Sequence, residues 1–248
     1  MDPWKYHSIT GTDLTHLNPI NAAAFDELVD LLDLPTGAHL LDIACGKAEG
    51  LIRIATRYPI AGVGVDLCPL FLESARAAAQ LRVPSHSTLT FVEQDGATYP
   101  APDSSLDLAI CLGASWVFGG YRGTVRRLAS LVKPGGQVLV GEPFWQTEPD
   151  PAYLAASDTA RADHGTHAEN AAAGEAEGLT LLYTLVSSPQ DWDRYEGLRG
   201  RAAERYAAAH PDDPDAPKIL ARSRHWREAY LRWGRDCVGW AVYLFRKP

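Results

Sequence analysis

The first part of the chain alternates between short hydrophobic runs and stretches in which hydrophobic residues recur at helical spacing. The short runs have the length of buried strands, and the stretches between them have the length of helices. Strands are predicted at residues 39–44, 61–66, 89–94, 106–112 and 137–143, and helices at 48–57, 69–82 and 121–132. Alternating strands and helices predict an α/β fold with a parallel, doubly wound sheet.

A helix precedes this region, and a less regular pattern follows it. Hydrophobic residues at helical spacing from Asn21 to Leu34 end at a Pro-Thr-Gly turn that leads into the first strand. The second half predicts helices at 168–178, 191–209 and 216–235, and strands at 179–188 and 239–246. About fifty residues therefore separate the last two strands. A segment of that length in a compact fold usually carries function.

The segment from Leu40 to Asp66 has the pattern of a nucleotide-binding βαβ unit. Its first hydrophobic run stops at a small-residue turn around Gly46, a helical pattern follows, and a second run ends in Asp66. A glycine at this turn lets backbone N–H groups approach a ligand closely, and the N-terminus of the next helix offers further donors. Asp66 is expected where the ribose hydroxyls of a nucleotide would be held.

Two classes of cofactor use such a unit, and the glycine spacing separates them. The dinucleotide fingerprint G-x-G-x-x-G would align with Ala44, Gly46 and Glu49, so that a carboxylate would stand where a pyrophosphate must approach. That arrangement is electrostatically unfavourable. S-adenosylmethionine has no phosphate and carries a sulfonium and an ammonium, and it tolerates nearby acids. The sequence therefore favours S-adenosylmethionine over a nicotinamide dinucleotide.

The segment from Leu40 to Gly50 resembles motif I of the class I S-adenosylmethionine-dependent methyltransferases, although Ala44 and Ala48 replace glycines common in the family. Further similar blocks follow in the family's order: Val65 to Leu67, Phe91 to Gly96, Leu106 to Gly113 and Leu131 to Val140. The resemblance covers about residues 37–145. Shorter segments are similar to a group of small bacterial methyltransferases of poorly defined substrate: Gly141 to Trp145, Asp191 to Glu196 and Cys237 to Trp240.

The resemblance implies a Rossmann-like, seven-stranded, mostly parallel sheet with helices on both faces. It implies one methyltransferase domain over residues 1–248, with residues 37–145 holding the cofactor. Residues 1–35 and the insertion at 191–235 are expected to form a helical lid over the acceptor. Cofactor contacts are implied for Asp42, Ala44, Gly46, Asp66, Leu67, Asp95, Gly96 and Gly113.

Each carboxylate among these residues has a structural alternative. Asp42 would accept from the ammonium of the cofactor, Asp66 from its ribose and Asp95 from its adenine amine. Without a ligand, the same side chains would be a loop cap, the N-cap of the helix near Pro69 and part of an Asp-Gly turn. The sequence therefore assigns both a binding and a local structural role to each of them.

The acceptor side of the predicted site has fewer signals. Its expected aromatic contacts are Trp116, Phe118, Trp145 and Tyr195, for which hydrophobic packing is the alternative. His16 in the N-terminal arm and Glu142 after the fifth strand are candidate catalytic proton acceptors. Their alternatives are a surface position and a buried ion pair. The sequence after the fourth strand lacks the D/N-P-P-Y/F pattern of enzymes that methylate nucleic-acid amino groups, so base methylation loses support.

Composition narrows the classes of partner. The 248-residue chain has a formal net charge of −8, which gives no general attraction to nucleic acid or to anionic membranes. Four scattered cysteines, a start without a hydrophobic signal region and the absence of a long hydrophobic run predict a cytoplasmic chain without a membrane segment. The spacing of His164 and His167 is a weak metal signal, and no metal is predicted.

These observations predict an enzyme that transfers a methyl group from S-adenosyl-L-methionine to a small-molecule acceptor and releases S-adenosyl-L-homocysteine. A non-catalytic S-adenosylmethionine-binding protein is one alternative, because it would share every cofactor residue. A nicotinamide-dependent oxidoreductase is a second, disfavoured by Glu49 and the glycine spacing. The sequence leaves open which atom of the acceptor is methylated and whether the chain forms a homo-oligomer.

Overall fold

The strands form one seven-stranded sheet in the computed structural model, which describes residues 2–248. They span β1 Ala38–Ile43, β2 Ile60–Asp66, β3 Thr88–Glu93, β4 Leu106–Leu112, β5 Val132–Trp145, β6 Thr180–Val186 and β7 Val238–Arg246. Their order is β3-β2-β1-β4-β5-β7-β6, and β7 pairs antiparallel with both of its neighbours while β1 to β5 pair in parallel. The predicted mostly parallel, Rossmann-like sheet is therefore confirmed.

Helices cover both faces of the sheet and one of its edges. They span α1 Pro3–Thr10, α2 Ala22–Asp30, α3 Glu49–Arg57, α4 Pro69–Arg82, α5 Tyr121–Leu131, α6 Pro151–Ser157, α7 His167–Ala176, α8 Pro189–Ala209, α9 Ala216–Ala229 and α10 Arg235–Cys237. Within residues 2–248, none of the helices combines the length and the hydrophobicity that a membrane span requires.

Alternation along the central strands produces two hydrophobic cores. Successive side chains of a strand point to opposite faces, so Leu40 joins the core formed with α2 and α3, and Leu41 joins the core formed with α5. On β7, Leu244 and Phe245 divide in the same way. Because both faces are covered, these strands read as continuous hydrophobic runs.

The strand order places a crevice at the carboxyl edge of the sheet. β1 lies between β2 and β4, so the chain leaves β1 toward one side of the sheet and later returns to its other side. Ligands of open α/β sheets bind at such a switch point. The turns after β1, β2 and β4 meet there.

The N-terminal arm and the insertion between β6 and β7 pack against each other. Tyr6 of α1 is buried with Ala203 of α8 and Ile219 of α9. Lys5 Nζ lies 2.9 Å from carboxylate oxygens of both Asp213 and Asp215, in the loop between these two helices. These contacts join the two segments predicted to form the lid into one helical layer.

Some elements differ from the sequence prediction. β5 starts at Val132 rather than at residue 137, because the glycines after it pair with the end of the chain: the N–H of Gly135 donates to the carbonyl of Lys247 at 2.8 Å. α1 and α6 were not predicted, since both are short and weakly patterned. The helix predicted at 216–235 is regular to Ala229 and then widens over Tyr230–Gly234 before α10.

Candidate active site

A cavity of about 230 Å³ opens at the carboxyl edge of the sheet, among the turns after β1, β2, β3 and β4. We call it the cofactor cavity. Of the predicted cofactor residues, those that line it are Ala44, Gly46, Asp66, Leu67, Asp95, Gly96 and Gly113. Asp42 instead lines a smaller cavity of about 60 Å³, which shares Leu17, Ala44, Gly46 and Leu112 with the first. The topology therefore brings the predicted cofactor residues to one place.

Asp66 is fixed across the crevice by two backbone donors. The N–H of Gly46 donates to one carboxylate oxygen at 2.7 Å, and the N–H of Cys68 donates to the other at 2.8 Å. Each oxygen keeps a lone pair for a further donor. Burial raises the pKa of Asp66, and these N–H groups oppose that rise. Asp66 thus has the local structural role expected as its alternative, and it also faces the cavity.

Alanine occupies two left-handed positions in the turn after β1. Ala44 and Ala48 both have φ of 55°, close to the 56° of Gly46. This conformation costs a residue with a Cβ about 1–2 kcal/mol. The turn therefore keeps a backbone shape that suits glycine, and the replacement of the two family glycines is accommodated as strain.

Asp42 is a buried carboxylate beside a second acid. Burial and the charge of Asp66 raise the pKa of Asp42 well above its ordinary value. Its cavity is also lined by Asn18 and Leu112. A positively charged group in this space would stabilise the ionised carboxylate, and the ammonium of an amino-acid moiety has that charge.

The turn after β3 presents a different surface. Asp95 accepts the N–H of Ala97 at 2.9 Å, which is the expected local turn contact. A Cβ on Gly96 would lie 2.7 Å from Ile43 Cγ2, so glycine allows this turn to pack directly against β1. Leu67, which is 45% exposed, adds a hydrophobic wall. A carboxylate, peptide groups and an apolar surface together suit a heteroaromatic ring such as adenine.

Gly113, directly after β4, is required for two reasons. Its φ of 82° is a left-handed conformation, and a Cβ there would lie 2.5 Å from Trp240 Cη2 on β7. Its N–H donates to the carbonyl of Gly141 at 2.9 Å. Gly113 lines the cofactor cavity and also a second cavity beside it.

Glu49 lines the small cavity of Asp42 but not the cofactor cavity, and its carboxylate is neutralised, which corrects one step of the sequence argument. Its buried carboxylate accepts Arg82 at 2.6 and 2.9 Å and Arg53 Nε at 2.7 Å. Burial opposes ionisation, but the two guanidinium groups lower the pKa of Glu49 overall. Because this charge is neutralised within the protein, it gives no electrostatic ground for excluding a dinucleotide.

The N-terminal arm closes the cofactor cavity on the side away from the sheet. Its lining residues are Trp4, His7, Thr10, Gly11, Leu14 and Leu17. Lys47, in the turn after β1, donates through Nζ to the carbonyls of Gly11 and Leu14 at 2.7 and 2.9 Å. Sequence reasoning named none of these six, because α1 and the loop after it have no periodic pattern.

A second cavity, of about 430 Å³, adjoins the first, and we call it the aromatic chamber. Its aromatic lining consists of Trp116, Trp145, Tyr153, Trp192, Tyr195, Trp226, Tyr230 and Trp240. The residues that line both cavities are His7, Leu17, Gly113, Trp116, Tyr195 and Arg199. Ligands in the two cavities would therefore be neighbours.

Three of the four predicted acceptor residues line the chamber. Trp116 is 74% exposed at its entrance, and Trp145 is buried with Nε1 donating to the carbonyl of Arg161 at 2.9 Å. Tyr195 donates through its hydroxyl to the carbonyl of Leu17 at 3.1 Å. Phe118 packs against the core on the α5 face, so the structure brings it to neither cavity.

A buried ion pair lies in the chamber wall. Arg199 Nη1 donates to Glu196 Oε1 at 3.2 Å, and the guanidinium carbon lies 5.2 Å from the centre of the Tyr195 ring. Burial raises the pKa of Glu196, and Arg199 opposes the rise. Sequence reasoning missed the pair, although Tyr195, Glu196 and Arg199 share one face of α8 at helical spacing.

The two predicted catalytic residues lie outside the chamber lining. His16 packs against Phe25 with ring centres 5.0 Å apart, and burial lowers the pKa of His16 to about 4. It lines the small cavity of Asp42. Glu142 is 3% exposed behind the chamber wall, where it accepts the Ser115 hydroxyl at 3.0 Å. Glu142 Oε1 also lies 3.8 Å from His164 Nδ1.

The sheet order, the acidic strand ends and the two adjoining cavities are those of an α/β protein with a nucleoside-type site and room for a second ligand beside it. Comparison with known families agrees: residues 40–136 match a family model described as a methyltransferase domain. The chain belongs to the class I S-adenosylmethionine-dependent methyltransferases, and S-adenosyl-L-methionine is its cofactor. The prediction of a methyltransferase is confirmed, and the nicotinamide alternative was wrong.

Individual relatives extend over the whole chain. The chain is 30% identical to the uncharacterized protein YjhP of Escherichia coli over 246 residues, which cover 98% of each protein. It is similar to a solved SAM-dependent methyltransferase from Thiobacillus denitrificans in complex with S-adenosyl-L-homocysteine, with a TM-score of 0.90, 31% identity and 100% coverage of both chains. It is also 26% identical to 27-O-demethylrifamycin SV methyltransferase of Amycolatopsis mediterranei over 258 residues, covering 98% of this chain and 89% of that protein.

Proposed function

We propose that this methyltransferase acts on a small organic acceptor bound in the aromatic chamber. The observation that carries the proposal is the wall shared between the two cavities, formed in part by Gly113, Trp116 and Tyr195. A group transferred from one ligand to another requires the two ligands to touch. A cavity of about 430 Å³ has the size of a small-molecule site.

The residues of the cofactor cavity fit the chemical groups of S-adenosylmethionine. Asp66 would accept from the ribose hydroxyls, and Asp95, Gly96 and Leu67 would surround the adenine. Asp42 and the carbonyl of Gly113 would hold the ammonium of the methionine moiety. The left-handed backbone at Ala44 and Gly46 would let the turn after β1 approach the ligand closely. Asp42 supports a cationic partner there, because a positive charge would offset the burial and the Asp66 charge that raise the pKa of this carboxyl.

Catalysis then depends mainly on position and on exclusion of water. S-adenosylmethionine supplies, when bound, a methyl group on a sulfonium that an acceptor lone pair can attack. The protein residues enclose that encounter: α1 covers the cofactor cavity, and Trp192, Trp226 and Tyr230 wall the acceptor side. Fixing two reactants in contact removes much of the entropic barrier to their reaction.

The character of the acceptor follows from the chamber walls. Aromatic rings on several sides favour a ligand with substantial apolar or planar surface, and Arg199 and Glu196 offer polar contacts at one end. The relative named for 27-O-demethylrifamycin SV supports a small-molecule acceptor. The net charge of −8 supports the expectation that nucleic acid is not the substrate.

Two measurements test this proposal together. Calorimetry should show S-adenosyl-L-homocysteine binding in the micromolar range. Incubation with methyl-labelled S-adenosylmethionine and a small-molecule extract should then give label in compounds of low molecular mass. Label found in protein or nucleic acid, with none in small molecules, would contradict the proposal.

A further inference from the structure

A buried carboxylate, a hydroxyl and an imidazole form a connected group behind the chamber. Ser115 Oγ donates to Glu142 Oε1 at 3.0 Å, and the same carboxylate oxygen lies 3.8 Å from His164 Nδ1. Nδ1 is buried without a hydrogen-bond partner in the described structure. His164 itself lines the chamber, whereas Glu142 and Ser115 do not. The histidine therefore stands between the buried acid and the acceptor space.

The loop that carries His164 is held in place by β5. The N–H of Trp145 donates to the carbonyl of Gly165 at 2.9 Å, and Arg161 donates to the carbonyl of His164 at 3.2 Å. The imidazole meets the Trp145 indole edge-on, with ring centres 5.2 Å apart. These contacts fix the backbone and one face of the ring. With Nδ1 directed to Glu142, Nε2 is the nitrogen left for a ligand in the chamber.

We propose that His164 accepts the proton of a hydroxyl-bearing substrate, with Glu142 and Ser115 as positioning residues that orient its ring. The inference rests on the proposed function, since it places the acceptor in the aromatic chamber. It also specifies that function: the methylated atom is an oxygen whose proton must be removed. Glu142, a candidate from the sequence, acts through His164 rather than by contact with the acceptor.

The proposed step couples the loss of a proton from the hydroxyl group to the transfer of the methyl group. The hydroxyl O–H bond breaks as its proton moves to Nε2, and an oxygen lone pair forms the new bond to the methyl carbon. The carbon–sulfur bond breaks, and its electron pair stays on sulfur, which becomes a neutral thioether. Nδ1 lies 3.8 Å from Glu142 Oε1, so the positive charge of the imidazolium is stabilised by the buried carboxylate. The proton on Nε2 is later lost to water.

The other titratable groups near the His164 ring do not take the place of Glu142 as its acidic neighbour. The titratable or charged groups that face the chamber with His164 include Tyr153, Glu196, Arg199, Arg222 and His7, and Arg161 contacts the His164 carbonyl. Among residues 2–248, Glu142 is the acidic residue within 4.0 Å of a His164 ring nitrogen. Burial, Arg199 and Arg222 lower the pKa of His7, so its cationic form is disfavoured. Glu196 is already paired with Arg199.

The first test needs no acceptor. The histidine ring nitrogen signals are recorded by NMR at mildly alkaline pH in the wild type and Glu142→Gln, with His164→Gln to assign the signal. The ring nitrogen shifts should show His164 as the Nδ1–H tautomer in the wild type, and a larger share of the other tautomer in Glu142→Gln, because the neighbour of a ring nitrogen sets which nitrogen carries the proton. His167 is a matched internal control, since its Nδ1 contacts Tyr243 at 2.9 Å and it does not line the chamber. Ring nitrogen shifts of His164 that are the same in the wild type and Glu142→Gln would overturn the pairing.

The second test uses two phenols as probe acceptors. Phenol keeps its proton at mildly alkaline pH, whereas 4-nitrophenol is already ionised there and needs no base. His164→Gln should lower kcat for phenol about 100-fold or more and change kcat for 4-nitrophenol only a few-fold. His167→Gln should leave both rates intact. S-adenosyl-L-homocysteine affinity, measured for each variant, shows that the cofactor cavity is preserved.

The outcomes separate this inference from the proposed function. Equal loss with both phenols, or no loss with either, contradicts a proton-accepting role for His164 while leaving methyl transfer in the chamber standing. If the wild type binds S-adenosyl-L-homocysteine and methylates neither phenol, the hydroxyl specificity is contradicted. The NMR result still decides whether Glu142 and His164 are paired.

Discussion

The cofactor cavity and the aromatic chamber share a wall, yet they are built from different material. The cofactor cavity is formed largely by turns at strand ends, where Gly46, Asp66 and Gly113 are placed by the sheet itself. The chamber is formed by side chains that converge from distant segments, such as Trp145, Trp192 and Trp240. A site made by backbone turns therefore has a short sequence signature, and a site made by converging side chains has none.

The largest expected effect tests whether the sheet edge alone determines cofactor binding. In the proposed site Asp66 accepts two charge-assisted hydrogen bonds from the ribose, each worth about 1.5–3 kcal/mol, so Asp66→Ala should raise the Kd for S-adenosyl-L-homocysteine more than a hundredfold. Glu93→Ala is the matched control, because Glu93 pairs in register with Asp66 and does not line the cavity. Calorimetry on folded variants measures both, and equal Kd values would remove Asp66 from the cofactor site.

A second prediction concerns the burial of His16 beside the small cavity of Asp42. The pKa of His16 is about 4 in the folded chain because its ring is buried, while the unfolded value is about 6.5. At pH 7 the ring is neutral in both states. As pH falls from about 6.5 to 4, only the unfolded chain takes up the proton, so stability should fall by up to about 3 kcal/mol.

The measurement is urea unfolding of the wild type and His16→Gln across this pH range. The difference between their unfolding free energies should change with pH between about 6.5 and 4 and be constant above 7. A difference that does not vary with pH would show that water reaches His16 in the folded chain.

A third prediction sharpens the role of the shared wall. Gly113 and Gly119 both have a left-handed backbone, with φ of 82° and 73°. The Cβ added in Gly113→Ala would lie 2.5 Å from the Trp240 ring, whereas the Cβ added in Gly119→Ala would have no atom within 4 Å. The first should therefore destabilise the chain by about 1–3 kcal/mol more than the second. Thermal unfolding compares the two, and equal losses would mean that Trp240 does not press on Gly113.

The smallest expected effect concerns the hydrogen bond between the insertion and the N-terminal arm. Tyr195→Phe removes the hydroxyl that donates to the carbonyl of Leu17, at a cost of about 1 kcal/mol. Amides of residues 11–18 should then exchange about fivefold faster. In the control Tyr206→Phe, the lost bond joins two parts of the insertion through Asp213. Acceleration confined to the control would show that Tyr195 does not hold the arm.

The difference between the two cavities also explains which features of the molecule could be predicted from its sequence. Strand order, the turn at Gly46 and the acids at 42, 66 and 95 follow from local periodicity and from a family motif, because strand ends of a parallel sheet meet at one edge. The family motif has a glycine at the position of Ala44, and glycine is typical of the left-handed φ that Ala44 adopts. These features depend on neighbours in sequence.

The chamber depends on neighbours in space. Phe118 carries the same signal as Trp116, yet only tertiary packing determines that one faces a core and the other a cavity. From the sequence, the charge of Glu49 was expected to repel a pyrophosphate. In the structure, Arg82 on another helix neutralises that charge. Glu142 lies on β5, whereas His164, its neighbour in space, lies in a loop that has no regular pattern. Such relations follow from packing, which no single segment encodes.

The most direct test of the account is to fill the chamber and leave the cofactor cavity untouched. Thr159 lines the chamber and lies outside the cofactor cavity, and its neighbour Ala160 is exposed and lines neither. Methyl transfer from labelled S-adenosylmethionine to small molecules is measured for Thr159→Trp and Ala160→Trp, together with S-adenosyl-L-homocysteine affinity. The account predicts that Thr159→Trp loses transfer and keeps wild-type cofactor affinity, while Ala160→Trp keeps both. Full transfer by folded Thr159→Trp would contradict the claim that the acceptor binds in the aromatic chamber.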